Sequence, residues 1–471
     1  MLNFEPFSID ALIRALPFVK KNQSLCSDLS AGYLFMWHED TDARFCVWND
    51  TFSVRENVGE QPAFSYPIGA DPSGMIDELK KYAYDNRLPL RFFAVDDNTL
   101  EKILGDERLR PAAFGYDRRW SDYIYSFEEA ATFKGKKYAG QRNHINKFKK
   151  LYGDPLVRFL SADDRAKVSE MLDEYEKEHP DGQKLEKLEL IRTKELFDTF
   201  GALGLFSAGI FIEGKIAAFS IGEVVGDTLL IHVEKALKRY EGAYPAMYSG
   251  FVRLIAGRLN RQLRLVNRED DSGDPGIRTS KTQYHPVRLA HKYLVHVNSP
   301  AIRSDPAVAI SSGNIVLTRI RESDKPAYLK LNTDVANNRY WGYDYREDVS
   351  VSLPVDENTF YDLVEYDMRA GDSVNFAVRL SENGEMIGEA VLWNFTSDGF
   401  AELGCRILPE YQGKGYGRSA FGAAADYAVR SLNVKVYARC YKNNAPSYRM
   451  IAANGFTPVR GDDDFYYFER E

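Results

Sequence analysis

Gln412-Gly413-Lys414-Gly415-Tyr416-Gly417, inside the stretch AELGCRILPEYQGKGYGRSAFGA from Ala401 to Ala423, decides how the C-terminal third of this chain is read. The residues before it, Glu402 to Leu408, read as a strand. Those after it, Arg418 to Arg430, read as a helix with Ala and Phe on its buried side. Glycines between a strand and a helix let the backbone turn tightly and approach a ligand with no Cβ in the way. Such a turn aims N–H groups outward, and the helix adds the positive end of its dipole. Lys414 and Arg418 add charge. The combination suits a pyrophosphate. The spacing is neither that of a P-loop nor that of a dinucleotide-binding GxGxxG.

Working outward, Ile315 to Ile320 is strand-like and Asp324 can cap the helix that follows it. Asn375 to Leu380 and Glu385 to Trp393 flank Glu382-Asn383-Gly384, a hairpin signal. Val434 to Ala438 is the next strand, Ala445 to Ala453 a helix ended by Asn454-Gly455, and Phe465 to Phe468 a last strand. This mixture of hairpins and crossovers predicts an α+β fold with helices on the faces of a mixed sheet. Upstream, NSPAIRSDPAVAISSGN (Asn298 to Asn314) is rich in turn-forming residues and predicts a linker at 298–313.

The middle of the chain repeats the plan. Val157 to Asp164 (VRFLSADD) parallels Leu317 to Asp324, and Phe206 to Val225 is a hairpin around Glu213-Gly214-Lys215. Val233 to Tyr248 aligns without a gap on Gly404 to Ser419. Tyr244 then stands for Gly415 and Ala246 for Gly417, and Pro245 removes an N–H, so this copy is expected to cradle a phosphate poorly. Residues 1–135 offer room for a third, more degenerate copy.

The stretch Ala401 to Ala423, together with Asn444-Ala-Pro-Ser447 followed by Gly455-Phe456, resembles the GNAT superfamily of N-acetyltransferases. The nearest subgroup is the one that acetylates protein N-termini and related amines. The resemblance covers 314–471. It implies acetyl-CoA as donor, with Gln412, Gly413, Lys414, Gly415, Tyr416, Gly417 and Arg418 around the pyrophosphate. Ile407 and Leu408 would offer backbone groups to the pantetheine arm, which lies where two strands splay, and Asn444 and Ser447 would line the far side. For Asn444 a plain helix cap is the equal alternative.

Acetyl transfer needs a neutral amine, a stabilised oxyanion and a leaving thiolate. A backbone N–H near Ile407 or Leu408 can serve the oxyanion, and a carboxylate acting through water can take the amine proton. Glu402 is the candidate base, with a solvated strand-end charge as the other reading, and Glu389 stands second. Many relatives carry a tyrosine where this chain has Ile451; Tyr448, one helical turn away, is the candidate acid. The aromatic run Arg339, Tyr340, Trp341, Tyr343 and Tyr345 is the candidate acceptor wall, or else a loop packed over the core. An α-amine, with a pKa of about 8 against about 10.4 for lysine, needs only a weak base. The expected acceptor is therefore a protein N-terminus or a small-molecule amine.

Asn267 to Pro286 (NREDDSGDPGIRTSKTQYHP) resembles the signature of the soluble domain of phosphatidylglycerol lysyltransferases, through Asn267, Glu269, Asp270, Gly273, Gly276, Arg278, Lys281, Tyr284 and Pro286. Those proteins pair two GNAT-like halves and use aminoacyl-tRNA. The resemblance implies a tandem of modules with an intact C-terminal copy: halves of about 1–150 and 151–297, then 314–471. Lys134 to Lys150 carries seven Lys or Arg and no acid. It reads as a solvated amphipathic helix or as a tRNA phosphate contact. The competing functions are thus aminoacyl transfer by the N-terminal region, or CoA sensing without catalysis.

Composition bounds these readings. With 471 residues the chain exceeds a single core. A net charge of −8 argues against general nucleic-acid or membrane binding. The longest apolar run, Gly201 to Ile212, falls short of the roughly 20 residues that span a bilayer. Cys26, Cys46, Cys405 and Cys440 lack zinc spacing, and the histidines form no metal motif. The expectation is a cytoplasmic enzyme without metal and without membrane contact.

Overall fold

The computed structural model describes residues 2–59, 61–180, 184–259, 261–346, 351 and 354–470. Among them the chain builds three mixed sheets with helices on their faces. The third sheet holds the strands in the order Ala309–Ser312, Ile315–Arg319, Val374–Leu380, Met386–Trp393, Phe400–Ile407, Lys435–Tyr441, Phe465–Arg470, Thr457–Gly461. All neighbours are antiparallel except Phe400–Ile407 and Lys435–Tyr441. The end of the expected linker is therefore the sheet's edge strand.

The other two sheets repeat this order. In the second it runs Val157–Phe159, Phe206–Ile212, Lys215–Val225, Thr228–Ala236, then the parallel neighbour Leu265–Asn267. In the first it runs Glu5–Pro6, Arg44–Trp48, Thr51–Val58, Gln61–Ser65, then the parallel neighbour Arg91–Val95. Residues 1–135, in which no motif was legible, thus hold most of a copy of the same plan.

The first two sheets exchange a strand. In the third sheet the last strand in sequence, Phe465–Arg470, lies between its two predecessors. The matching place in the first sheet, between Arg91–Val95 and Ala112–Tyr116, is taken by Tyr293–Val297 from far along the chain. Asp122–Ser126 takes the same place in the second sheet, between Leu265–Asn267 and Arg288–Ala290. Sheet membership therefore changes between Tyr116 and Asp122, not at the division expected near residue 150, and returns to the first sheet at Tyr293.

Local chemistry explains the shared plan. Asp164 accepts from the Ser161 N–H at 3.1 Å and pairs with Arg158; Asp324 accepts from the Arg321 N–H at 2.7 Å and pairs with Arg379. Each carboxylate turns the chain from the strand before it, Val157–Phe159 or Ile315–Arg319, into the following helix. Glu213 and Gly214 both take positive φ, 50° and 82°, which a two-residue hairpin turn requires.

Candidate active site

Beyond Glu402 and Tyr437 the parallel ladder of the third sheet stops, and its two strands part. Phe400–Ile407 stays paired with Met386–Trp393, and Lys435–Tyr441 with Phe465–Arg470. The Leu408 N–H donates to the Ile387 carbonyl at 2.9 Å. Backbone groups alternate sides along a strand, so the Ile407 N–H faces the opening. Of the two expected backbone donors, Leu408 is thus spent inside the sheet and Ile407 remains. The Ile407 carbonyl accepts from the Gln412 side chain at 2.8 Å and from Asn337 at 3.3 Å.

The glycine loop follows a short 3-10 turn, Pro409–Tyr411, and leads into the helix Tyr416–Tyr427. Gly413 and Gly415 have φ of 76° and 84°, and a Cβ on either would meet nothing within 4 Å. Gly415 is the helix N-cap, and no side chain caps the first N–H groups. They point into open space at the positive end of a helix, where an anion is favoured. Lys414 lies over the Tyr411 ring at 5.3 Å, and Arg418 reaches the Ala453 carbonyl at 3.3 Å.

The corresponding helix starts of the other two sheets are closed. Asp71 caps the helix Pro72–Asp85 with its own carboxylate, donating nothing to an anion. Gly242 caps the helix Ala243–Arg258 with φ 84°, as Gly415 does, but a Cβ there would stand 2.2 Å from the His144 carbonyl. Helix starts therefore match Gly242 with Gly415. The gapless alignment set it on Gly413, so the second loop is two residues shorter. The space over it belongs to the helix Ala139–Tyr152, the basic segment singled out above. That helix turns Phe148 inward, and Lys147 pairs with Glu241 at 2.6 Å. Lys137 pairs with Glu129 and Lys149 with Asp154.

Glu402, Gly404 and Arg406 share one face of their strand. Glu402 is buried, and both its oxygens are engaged: by Asn394 at 2.6 Å, Tyr437 at 3.2 Å and Arg439 at 2.9 Å. It reaches an amine only by exchanging one of these partners. Burial, then the Glu402 charge, pushes the Tyr437 phenol up, so it stays protonated and donates. A Cβ on Gly404 would lie 2.7 Å from both Trp341 and Trp393. Trp341 also covers the Arg406 guanidinium at 4.8 Å. On the opposite strand Tyr441 meets Tyr340 and lies close to Gly342. The aromatic segment therefore bridges the mouth of the opening, with Arg339 stacked outward on Tyr340 and Tyr343 packed toward the core.

Glu389 takes no part at this surface. Arg406 binds it through two nitrogens, Tyr328 and Asn375 donate to it, and Asn332 and Asn338 accept from Arg406. A buried ion pair satisfied on every side pins the helices beneath Trp341. Asn444 caps the helix Ala445–Ala452 through the Ser447 N–H at 3.2 Å. The Tyr448 ring packs on Tyr466 and Phe468, and Ile451 is in the core. The side chain of this helix that stands over the glycine helix is Met450, whose Sδ lies 3.4 Å from a Cβ built on Gly417. Sequence reasoning missed Met450, Trp393, Asn394, Tyr437 and Arg439. Only their places across the sheet bring them here, and no spacing signals that.

The signature segment Asn267 to Pro286 lies at the seam of the first two sheets. Asn267 binds the Leu25 carbonyl and Asp122; Lys292 meets Asp28, Asp122 and Asp270. His232 places its ring nitrogens 2.7 Å from Glu269 and 3.0 Å from Glu223, and Glu223 also accepts from the Gly32 N–H. With both carboxylates ionised these partners only accept, and the ring then carries both protons as an imidazolium. Burial opposes that charge, but the hydrogen bonds to Glu223 and Glu269 override it and hold His232 at about 10. Arg268 pairs with Glu234 and lies over Tyr248 and Tyr284 at 4.3 and 4.5 Å.

Residues 22–296 match the family described as phosphatidylglycerol lysyltransferase, C-terminal, and residues 314–457 the acetyltransferase (GNAT) domain. The chain belongs to the phosphatidylglycerol lysyltransferase C-terminal family, with a GNAT acetyltransferase domain behind it. An uncharacterized N-acetyltransferase of Bacillus subtilis (strain 168), YnaD, is 31% identical over 121 residues, 24% of this chain and 69% of that protein. The uncharacterized protein MYCGA3080 of Mycoplasmoides gallisepticum (strain R(low / passage 15 / clone 2)) is 26% identical over 188 residues, 38% of this chain and 56% of that protein. A conserved protein of unknown function from Bacteroides thetaiotaomicron VPI-5482 superposes with a TM-score of 0.58 at 29% identity, over 63% of this chain and all of that one. The lysyltransferase-like region thus comprises the two strand-exchanging sheets, and the acetyltransferase domain makes the chain an acyltransferase. Among the described residues no helix is long and apolar enough to cross a membrane, and no group of His, Cys, Asp or Glu could hold a metal ion.

Proposed function

We propose that the acetyltransferase domain moves the acetyl group of acetyl-CoA to a primary amine by direct attack. The observation that carries this reading is the open, uncapped helix start at Gly415, against the closed starts at Asp71 and Gly242. In this reading the N–H groups from Gly413 to Arg418 hold the pyrophosphate and the pantetheine arm enters between the parted strands. The Ile407 N–H receives the carbonyl oxygen as it gains charge. The amine nitrogen bonds to the thioester carbon under Trp341 and Trp393, the C–S bond breaks, and the amine proton leaves through water toward Glu402. With Ile451 in the core and the Tyr448 ring packed against the last strand, the thiolate departs next to Met450. A protein N-terminus or a small-molecule amine suits a carboxylate already bound to Arg439, since a weak base suffices there. Free thiols at all four cysteines accord with a reducing, cytoplasmic setting. Calorimetry with acetyl-CoA tests the donor site. Wild type should bind, and Gly415→Glu, which fills the loop with a negative charge, should not; no binding by the wild type sinks the reading.

One observation favours a second activity, aminoacyl transfer by the lysyltransferase-like region. The buried Tyr248 hydroxyl has no hydrogen-bond partner and lies beside Arg268, where the second sheet's parallel strands part. With the His144 carbonyl over Gly242, a donor there could not be held as CoA is. Filter binding of aminoacyl-tRNA, lost on charge reversal at Lys136, Lys137 and Arg142, would support it.

A further inference from the structure

A cavity of about 300 Å³ lies between the first sheet and the acetyltransferase domain, within the range of small-molecule sites. Arg91 and His296 line it from one side, Asp372 and the turn Phe395–Ser397 from the other, and Lys80 and Arg303 stand with them. In a chain of net charge −8, this lining has three permanent cations and one carboxylate. The cations are hydrogen-bonded to neutral groups. Arg91 donates to the carbonyls of Val58, Gln61 and Pro62, Arg303 to that of Leu432 at 2.8 Å, and Lys80 to that of Arg108 at 3.1 Å. Carbonyls orient a cation without neutralising it. The single carboxylate, Asp372, is 3.9 Å from Arg91 and 3.7 Å from His296, beyond hydrogen-bond reach of either. His296 is 3% exposed, and its Nε2 has no hydrogen-bond partner.

We propose that this cavity binds a small anion bearing carboxylate or phosphate oxygens. The oxygens would lie against Arg91 and His296 at the buried end, with Lys80 and the exposed Arg303 at the rim. Burial pulls Arg91 down, so an anion there offsets a cost that its charge now carries; burial pulls His296 down to about 4, so it meets the anion as a neutral imidazole donating one N–H. The site has a mechanical address. The Ser397 N–H is bound to the Leu88 carbonyl at 2.9 Å and Arg87 meets Asp398, so the turn is held by the first sheet's loop. The same turn begins at Asn394, whose amide holds Glu402. An anion against Phe395–Ser397 therefore rests on the segment that positions the carboxylate in the acceptor cleft.

Calorimetry on the full chain, with citrate and with inorganic phosphate as probes, tests this. At least one should bind saturably, and which one tells carboxylate from phosphate chemistry. Lys80→Glu and Arg303→Glu should each weaken binding tenfold or more, and Ser397→Trp, filling the cavity from an exposed position, should abolish it. All three should keep the wild-type melting temperature within a few degrees. Gly415→Glu should leave binding unchanged, which separates this site from the glycine loop. No saturable binding of either probe, binding indifferent to both charge reversals, or binding lost with Gly415→Glu would overturn the proposal.

Discussion

At Gly415 and Gly242 the same backbone conformation has opposite surroundings. Both take φ 84° before a helix, but a Cβ meets open space at Gly415 and the His144 carbonyl, 2.2 Å away, at Gly242. An alanine at Gly415 therefore carries only the left-handed conformational cost of roughly 1–2 kcal/mol. At Gly242 it must also move the helix Ala139–Tyr152. Urea unfolding should show Gly242→Ala to be the more destabilising by at least ~1 kcal/mol. Equal losses would mean that the helix gives way freely and that the second loop is open in solution.

Among the elements, the helix Ala445–Ala452 is where sequence left two readings standing. Asn444 caps it through Ser447 N, a bond whose loss by Asn444→Ala costs about 1 kcal/mol. A residue that only caps should lower the melting temperature and leave the KM for acetyl-CoA within about twofold. Asn444→Asp should restore the cap, since either side chain offers the oxygen. A tenfold rise in KM at unchanged melting temperature would instead assign Asn444 to the cofactor. The basic helix Ala139–Tyr152 shows the same contrast. Its composition suggests a polyanion, but three of its neighbourhood's lysines already hold acids, and its inner face closes over Gly242.

For the whole molecule, the strand exchange makes the first two sheets one folding unit. A fragment of residues 1–118 lacks Tyr293–Val297 and exposes the facing edges of Arg91–Val95 and Ala112–Tyr116. Circular dichroism should find no cooperative melt for it, whereas residues 299–471, whose sheet is complete, should melt cooperatively. The seam also gives alkaline sensitivity. His232 is held at about 10 against 6.5 in the unfolded chain, so between these values the folded state carries the extra proton. Its contribution is full below about pH 6.5 and is lost as pH rises toward 10. The urea midpoint should fall from about pH 7 to about pH 9.5, and less steeply in His232→Asn. The glycine loop, the capping aspartates Asp164 and Asp324 and the hairpin at Glu213-Gly214 were legible in the sequence because each is fixed by residues a few places apart. So were six strands of the third sheet and its likeness to the second, but not the edge strand Ala309–Ser312, the strand Thr457–Gly461 or the helix Thr359–Ala370. What only the tertiary structure decided lies between distant residues. It seats Tyr293–Val297 in the first sheet, lays the His144 carbonyl over Gly242, and stands Trp341 over Gly404. It also spends the Leu408 N–H on Ile387 and engages Glu402 with Arg439. Packing and sheet register set these contacts, and a local pattern of residue types is the same whether or not they form.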